Sequence, residues 1–303
     1  MNSNTVPEIK IEEIPANHMT FHCRTCGMEN SGEPVILMHG FPETSYMWQE
    51  LMMLLASKGY RCLAPDLRGY SPGARPKDIK SYGIDKIAFD IIQLANSVGF
   101  KKIQLIGHDW GAGCGWTVVE RAPNLVNSWS ALSVPHMQAW DIARKTDKDQ
   151  KKKGRYMKLF QLPLLPELGF GIVLGIKGLP DKLYKYSSPD EVKEYMRVLK
   201  TKDAREAAFN WYRANKKLLI PYHDVSIPTL LIWGNEDIAF GRSGIEATQE
   251  HMKGEYKLLE LKAGHTLIQE KFDEVSTAIL GHLQKYPIPN RGGDVDRNRT
   301  LEV

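Results

Sequence analysis

Short apolar runs that stop abruptly at glycine, proline or histidine recur along this chain, separated by stretches with helical spacing. Val35 to Met38 ends at His39-Gly40, Tyr60 to Ala64 at Pro65, and Ile103 to Ile106 at Gly107. Between them, Tyr46 to Ala56 has helical rather than alternating spacing. Ile84, Ile87, Ala88, Ile91, Ala95 and Val98 also recur at helical intervals, and Gly99 supplies a C-cap. Continuous apolar strands alternating with amphipathic helices predict an α/β fold, its mostly parallel sheet covered by helices on both faces. In such sheets ligands bind at the C-terminal ends of the strands.

Two further strands, Ile9 to Ile14 and Thr20 to Cys26, open the chain, and Asn127 to Ser133 continues the series. From Met137 to about Asp224 there is no convincing strand, only helical segments rich in Leu, Tyr and Lys. Alternation resumes with strands at Thr229 to Trp233 and Tyr256 to Leu261, then a closing helix at Glu274 to Leu283. The expected organisation is a core of residues 1–136 and 225–303, eight-stranded, with 137–224 inserted as a helical cap over the ligand face. Residues 290–303, polar and glycine-bearing, read as a surface tail.

Forty basic and 36 acidic residues leave a net charge of +4, too mild an excess to suggest nucleic acid as the main partner. The N-terminus lacks the basic and apolar segments of a signal peptide, and the most apolar run, Leu168 to Ile176, is too short to span a bilayer. No stable membrane insertion is expected, and a cytoplasmic monomer or homodimer is. Cys23 and Cys26 form a C-x-x-C, but Cys62 and Cys114 add no second pair for zinc. Small half-buried residues on an early strand are the preferred reading, with a redox role the minor one. The basic cluster Lys145 to Arg155 reads as a solvated helix face rather than an anion site.

Gly107-His108-Asp109-Trp110-Gly111 follows a strand and precedes a helix expected to begin near Ala112, the setting of a nucleophile elbow. Alone, the motif would favour an aspartate that caps the helix, and the partner residues that follow reverse that preference. Asp109 as nucleophile restricts the chemistry. A carboxylate attacking an acyl carbon gives an anhydride, whereas attack on an sp³ carbon bearing a leaving group gives an ester that water can cleave. The electrophile is therefore an epoxide or an alkyl halide. Ester hydrolysis needs a general base and a group that orients it. His265, after Gly264 at a strand end, is placed as the base, and Asp237 in Gly234-Asn235-Glu236-Asp237 as the acid, with Glu236 the runner-up. The backbone N–H groups of Phe41 and Trp110 are placed for an oxyanion hole, and a tight turn makes Phe41-Pro42 a candidate cis bond.

Seven segments carry a family resemblance: HGFPETSYMW (39–48), DLRGYSPGARP (66–76), GHDWGAG (107–113), LSVPH (132–136), FNWYR (209–213), WGNED (233–237) and AGHTLIQEK (263–271). Along nearly its whole length the chain resembles the epoxide hydrolases of the α/β-hydrolase fold, in which the order nucleophile, acid, histidine also holds. The resemblance implies hydrolysis of an epoxide to a vicinal diol through a covalent aspartyl ester, with two cap tyrosines hydrogen-bonding the ring oxygen. Tyr212 matches one of these positions closely, and Tyr156 the other less tightly. A phenol, with a pKa near 10, stabilises a departing alkoxide while staying protonated at neutral pH. His39, Pro42, Trp110, Phe160 and Leu162 are expected at the substrate. Met157, Leu159, Leu174 and Trp140 add apolar character, so the substrate reads as an aryl or alkyl epoxide.

Two other activities compete. Haloalkane dehalogenases share the Asp, His and acid and the Trp after the nucleophile, but many have Asn where Phe41 stands, and paired tyrosines have no role there. Fluoroacetate dehalogenases typically carry Arg at the position of Trp110. A ligand-binding protein on the same fold is the third reading, disfavoured by an intact set of catalytic candidates. No metal or organic cofactor is implied, since water is the only co-substrate.

Overall fold

The computed structural model describes residues 7–175, 184–217 and 220–289. The polar tail 290–303 and the side chain of Leu174 lie outside the described residues. Eight strands form one sheet: β1 (Lys10–Ala16), β2 (Met19–Cys26), β3 (Pro34–Met38), β4 (Arg61–Pro65), β5 (Ile103–His108), β6 (Val126–Leu132), β7 (Thr229–Gly234) and β8 (Tyr256–Leu261). Their spatial order is β1-β2-β4-β3-β5-β6-β7-β8. Only β2 runs against its neighbours, and the six strands from β4 to β8 are mutually parallel.

The central strands are apolar because both faces are covered: every residue of β3, β5 and β7 is buried. The helices α1 (Gln49–Ser57), α2 (Ile84–Ser97) and α3 (Trp110–Arg121) connect the first half of the sheet. In α2, five of the six residues of the apolar stripe anticipated from spacing, Ile84, Ile87, Ala88, Ile91 and Ala95, are buried, joined by Leu94, while Val98 at the C-cap is half-buried. Asp90 is buried on that stripe too, and is matched there by the Arg68 guanidinium at 2.6 and 2.7 Å.

Between β6 and β7 the described residues hold α4 (Met137–Thr146), α5 (Lys148–Lys153), α6 (Arg155–Phe160), α7 (Leu165–Gly175), α8 (Pro189–Leu199) and α9 (Lys202–Ala214). Ser188 and Glu191 close a capping box at the start of α8, and Thr201 caps α9. The chain then returns to the sheet and ends in α10 (Arg242–Ala247), α11 (Leu267–Glu270) and α12 (Phe272–Lys285). No described helix is long and apolar enough to cross a membrane.

Cys23 and Cys26 are on a strand, as anticipated, but fully rather than half buried, and all four cysteines are free thiols. Burial pushes the Cys26 thiol up to about 11, so it stays protonated and unreactive.

Parallel pairing has one consequence that matters most for the site. Met38 pairs with Gly107, and His108 with Leu132. The turns after β3, β5, β7 and β8 consequently emerge at one edge of the sheet and carry Phe41, Asp109, Asp237 and His265.

Candidate active site

Asp109 joins β5 to α3 with φ +50° and ψ −122°, a conformation that costs a non-glycine residue about 1–3 kcal/mol. The surroundings impose it by close packing. A Cβ on Gly111 would fall 2.2 Å from the Met38 carbonyl oxygen, and one on Gly40 would fall 2.4 Å from the Asp109 Cβ. Helix α3 begins at Trp110, two residues before the expected start, because this turn leads straight into the helix. The Asp109 carboxylate makes no capping bond to α3, which removes the reading of Asp109 as a helix cap. Its oxygens are instead differentiated. Oδ1 accepts the Phe41 backbone N–H at 2.8 Å, and Oδ2 lies 3.3 Å from His265 Nε2. Among the described residues the Trp110 N–H makes no such bond to the carboxylate. The Phe41-Pro42 peptide is cis.

His265 Nδ1 donates to Asp237 Oδ2 at 2.8 Å. The other oxygen of Asp237 accepts the N–H groups of Ala239 and Phe240, which locks the carboxylate, and the Lys153 ammonium meets the Asp237 carbonyl. Glu236, the runner-up, points into solvent. Burial alone would hold the His265 imidazole down, but Asp237 and then Asp109 hold it well above the usual range. Burial likewise works to raise the Asp109 carboxyl. The hydrogen bond and charge of His265, the nearby His108 and the Phe41 N–H outweigh it, and the carboxyl lies below its ordinary range. Asp237, His265 and Asp109 thus form one hydrogen-bonded relay in which both carboxylates favour a proton on the imidazole.

Glu43 and His108 were not singled out from the sequence. His108 Nε2 meets the His265 carbonyl at 2.8 Å and Nδ1 meets Glu43 at 3.1 Å. A carbonyl only accepts, so Nε2 carries a proton. Glu43 also takes the Gln269 amide at 2.8 Å, and Ser133 Oγ donates to the same His265 carbonyl. These groups position the His265 loop. Both lay inside quoted motifs, beside Asp109 and in His39-Gly40-Phe41-Pro42-Glu43, and that adjacency was the available signal.

A cavity of about 390 Å³ opens beside Asp109. Trp110, Tyr156, Met157, Tyr212, Trp140 and Phe240 line it, with Lys80, Lys86 and Lys217 also on its wall. The rings of Tyr156 and Tyr212 are 6.3 Å apart, and Trp110 meets Tyr212 edge-on at 5.0 Å. Burial first, and the Asp109 charge after it, push both phenols upward. They remain proton donors at neutral pH.

Four expected substrate contacts are corrected, together with one supporting residue. His39 is fully buried: Nδ1 donates to the Gly40 carbonyl, and Nε2 accepts the Leu67 N–H at 2.9 Å. Both nitrogens are thus spent on fixing the turn. Pro42 lies off the cavity wall, its carbonyl accepting the Tyr184 hydroxyl. Phe160 packs on Phe41, Phe209 and Tyr212 and backs the Tyr212 ring instead of facing the cavity. Leu162 is 42% exposed and holds Arg213 through its carbonyl, and Leu159 is 53% exposed. On one turn of α6, Tyr156, Met157 and Phe160 face inward, which leaves Leu159 and Leu162 outside. Among the described residues no group of three or more His, Cys, Asp or Glu is arranged to hold a metal ion.

Residues 33–272 match the family model described as alpha/beta hydrolase fold. The chain is 32% identical to the AB hydrolase superfamily protein YfhM of Bacillus subtilis, over 91% of this chain and 98% of that one. It is 30% identical to Epoxide hydrolase 4 of Mus musculus, over 90% and 78%. A solved structure of a Bacillus megaterium epoxide hydrolase with an inhibitor superposes with a TM-score of 0.80 at 28% identity, covering 90% of this chain and all of that one. With its elbow, sheet order and relatives in agreement, this chain belongs to the α/β-hydrolase fold family, among the members related to epoxide hydrolases.

Proposed function

We propose that the chain hydrolyses apolar aryl or alkyl epoxides to vicinal diols through an ester on Asp109, with the helices of 137–224 as a cap over the site. One observation carries the reading: a carboxylate at the elbow and two protonated phenols line the same apolar cavity. An epoxide needs both, an anion for carbon and a donor for oxygen.

In the first step an Asp109 oxygen attacks a ring carbon and the C–O bond breaks toward oxygen. Tyr156 and Tyr212 hydrogen-bond the departing alkoxide, and one of them gives it a proton. With the Asp109 charge gone, the protonated His265 gives its Nε2 proton to the tyrosinate; in the second step the freed Nε2 takes a proton from water, and the hydroxide adds to Asp109 Cγ. Negative charge then develops on the carbonyl oxygen, which the Phe41 N–H is placed to hold. Collapse expels the second alkoxide, protonated by His265, and the acid proton left on Asp109 passes back to His265 Nε2. Epoxide and water become diol, and every enzyme group regains its starting state.

A halide leaving group needs no proton, and the cavity spends two tyrosines on donating one. The test is diol formation from styrene-type, terminal alkyl and fatty-acid epoxides, with haloalkanes in parallel and Asp109→Ala as control. Turnover of an epoxide that Asp109→Ala abolishes supports the proposal. Halide release without diol formation overturns it in favour of a dehalogenase, and binding without turnover in favour of a ligand-binding protein.

A further inference from the structure

Helices α6 and α7 expose more apolar surface than a water-facing cap needs. Leu159, Leu162, Leu164, Leu165, Leu168 and Ile172 are all exposed, with Leu164 at 67%, Leu168 at 64% and Ile172 at 63%. Leu165, Leu168 and Ile172 follow helical spacing, so they share one face of α7. Isolated surface leucines need no explanation, but six exposed within the fourteen residues 159–172 mark a contact surface.

The charge around this patch is mainly positive, Asp149 being the exposed acid on α5. Lys148, Lys151, Lys152, Arg155 and Lys158, on α5 and α6, are exposed. The ion pairs of this stretch, Arg144 and Lys145 with Asp141 and Lys153 with Asp149, involve none of these five. Between residues 150 and 175 the one acidic residue is Glu167, buried and paired with Arg213 at 2.5 Å. Arg155, Lys158 and Leu159 stand at helical spacing along one side of α6, with the exposed Leu162 just past its end, so cations and leucines adjoin there.

We propose that this face rests on an anionic lipid bilayer, its leucines entering the acyl boundary and its lysines meeting the headgroups. Apolar insertion and a polybasic cluster are the two signals that together hold a protein on a membrane without spanning it. A second copy of the chain is the poorer occupant. A two-fold contact is self-complementary, and pairing this face with itself would set five cations against five. The inward side of α6 carries Tyr156 and Met157, so the lipid-facing helix is also a wall of the cavity.

The test is co-sedimentation of the full chain with phosphatidylcholine vesicles, alone or with about a third phosphatidylglycerol, at low and high salt. Salt-sensitive binding to the anionic vesicles is expected, with each of Lys151→Gln, Lys152→Gln and Lys158→Gln weakening it about fivefold. Leu168→Glu is expected to weaken it at least tenfold, to about the level of the neutral vesicles. All these positions are exposed, and a circular dichroism melt checks that each variant is folded. A Leu168→Cys chain carrying an environment-sensitive dye reads insertion directly, since the four native cysteines are buried. The dye should blue-shift on anionic vesicles. No vesicle binding at low salt, or binding indifferent to Leu168→Glu, overturns the proposal. So does a dimer in sedimentation that Leu168→Glu dissociates while vesicles leave the dye unchanged, which assigns the face to a second copy. Vesicle binding is read without turnover, so its outcome is separate from that of the epoxide reading.

Discussion

His265 Nε2 lies 3.3 Å from Asp109 Oδ2, while Oδ1 of the same carboxylate is held by the Phe41 N–H. The histidine is thus close to the nucleophile yet unnecessary to its attack, because a carboxylate is already anionic at neutral pH. Its need arises afterwards, when water must be deprotonated beside the same carbon.

His265→Gln should therefore permit one turnover and then stall. Intact-protein mass spectrometry should find the chain heavier by one epoxide, with the label on the peptide containing Asp109. An unmodified variant with no activity would show that His265 acts before or during ring opening.

Ester formation should change the base. In the resting site the Asp237 and Asp109 carboxylates both hold the His265 imidazole above its usual range against the opposing effect of burial. Esterification removes the Asp109 charge, so the pKa of His265 should fall as its proton-accepting role begins. Ester decay, followed after a single loading, should rise with pH and level off at a pKa below that of the free enzyme measured by imidazole NMR. Equal values, or decay that slows as pH rises, would contradict the relay.

The two phenols should back each other up. Tyr156→Phe and Tyr212→Phe alone are expected to cost about ten- to a hundredfold in turnover, and the double variant on the order of 10²–10⁴-fold. The loss should be in ring opening, seen as slower ester formation with ester decay unchanged. A double variant that keeps most of its activity would revive the dehalogenase reading.

Asp237 and Glu236 offer an internal comparison. Asp237→Asn removes the acceptor at His265 Nδ1 and should lower turnover by about 10⁴-fold, the order seen when a triad loses its orienting carboxylate. Glu236→Gln changes a side chain in solvent and should leave turnover within about twofold. Equal effects would mean that Asp237 does not orient the base.

Much of the scaffold was readable because buried parallel strands write themselves as apolar runs. Ile103 to Ile106 and Tyr256 to Leu261 fall within the strands formed, and the ends of the others differ by one or two residues. Asp109 and His265 were legible through chain position, each just after a strand. The choice between Glu236 and Asp237 was not, since neighbours on a turn point in opposite directions and only the fold decides which is inside. Leu162 and Phe160 were misplaced for a related reason. A six-residue helix such as α6 offers too little sequence for the apolar period to separate the cavity side from the outside. The Glu43–His108 pair needed three dimensions, because the two residues are 65 positions apart.

The central claim, a covalent bond between Asp109 and substrate carbon, is tested most directly by one turnover in heavy-oxygen water with enzyme in excess. If water attacks the Asp109 ester at Cγ, the first diol takes its new oxygen from the carboxylate and contains no solvent label. The label should then appear on Asp109 in the digested enzyme. Solvent oxygen in that first diol, with an unlabelled Asp109, would mean that water attacks the epoxide directly and that Asp109 is a base.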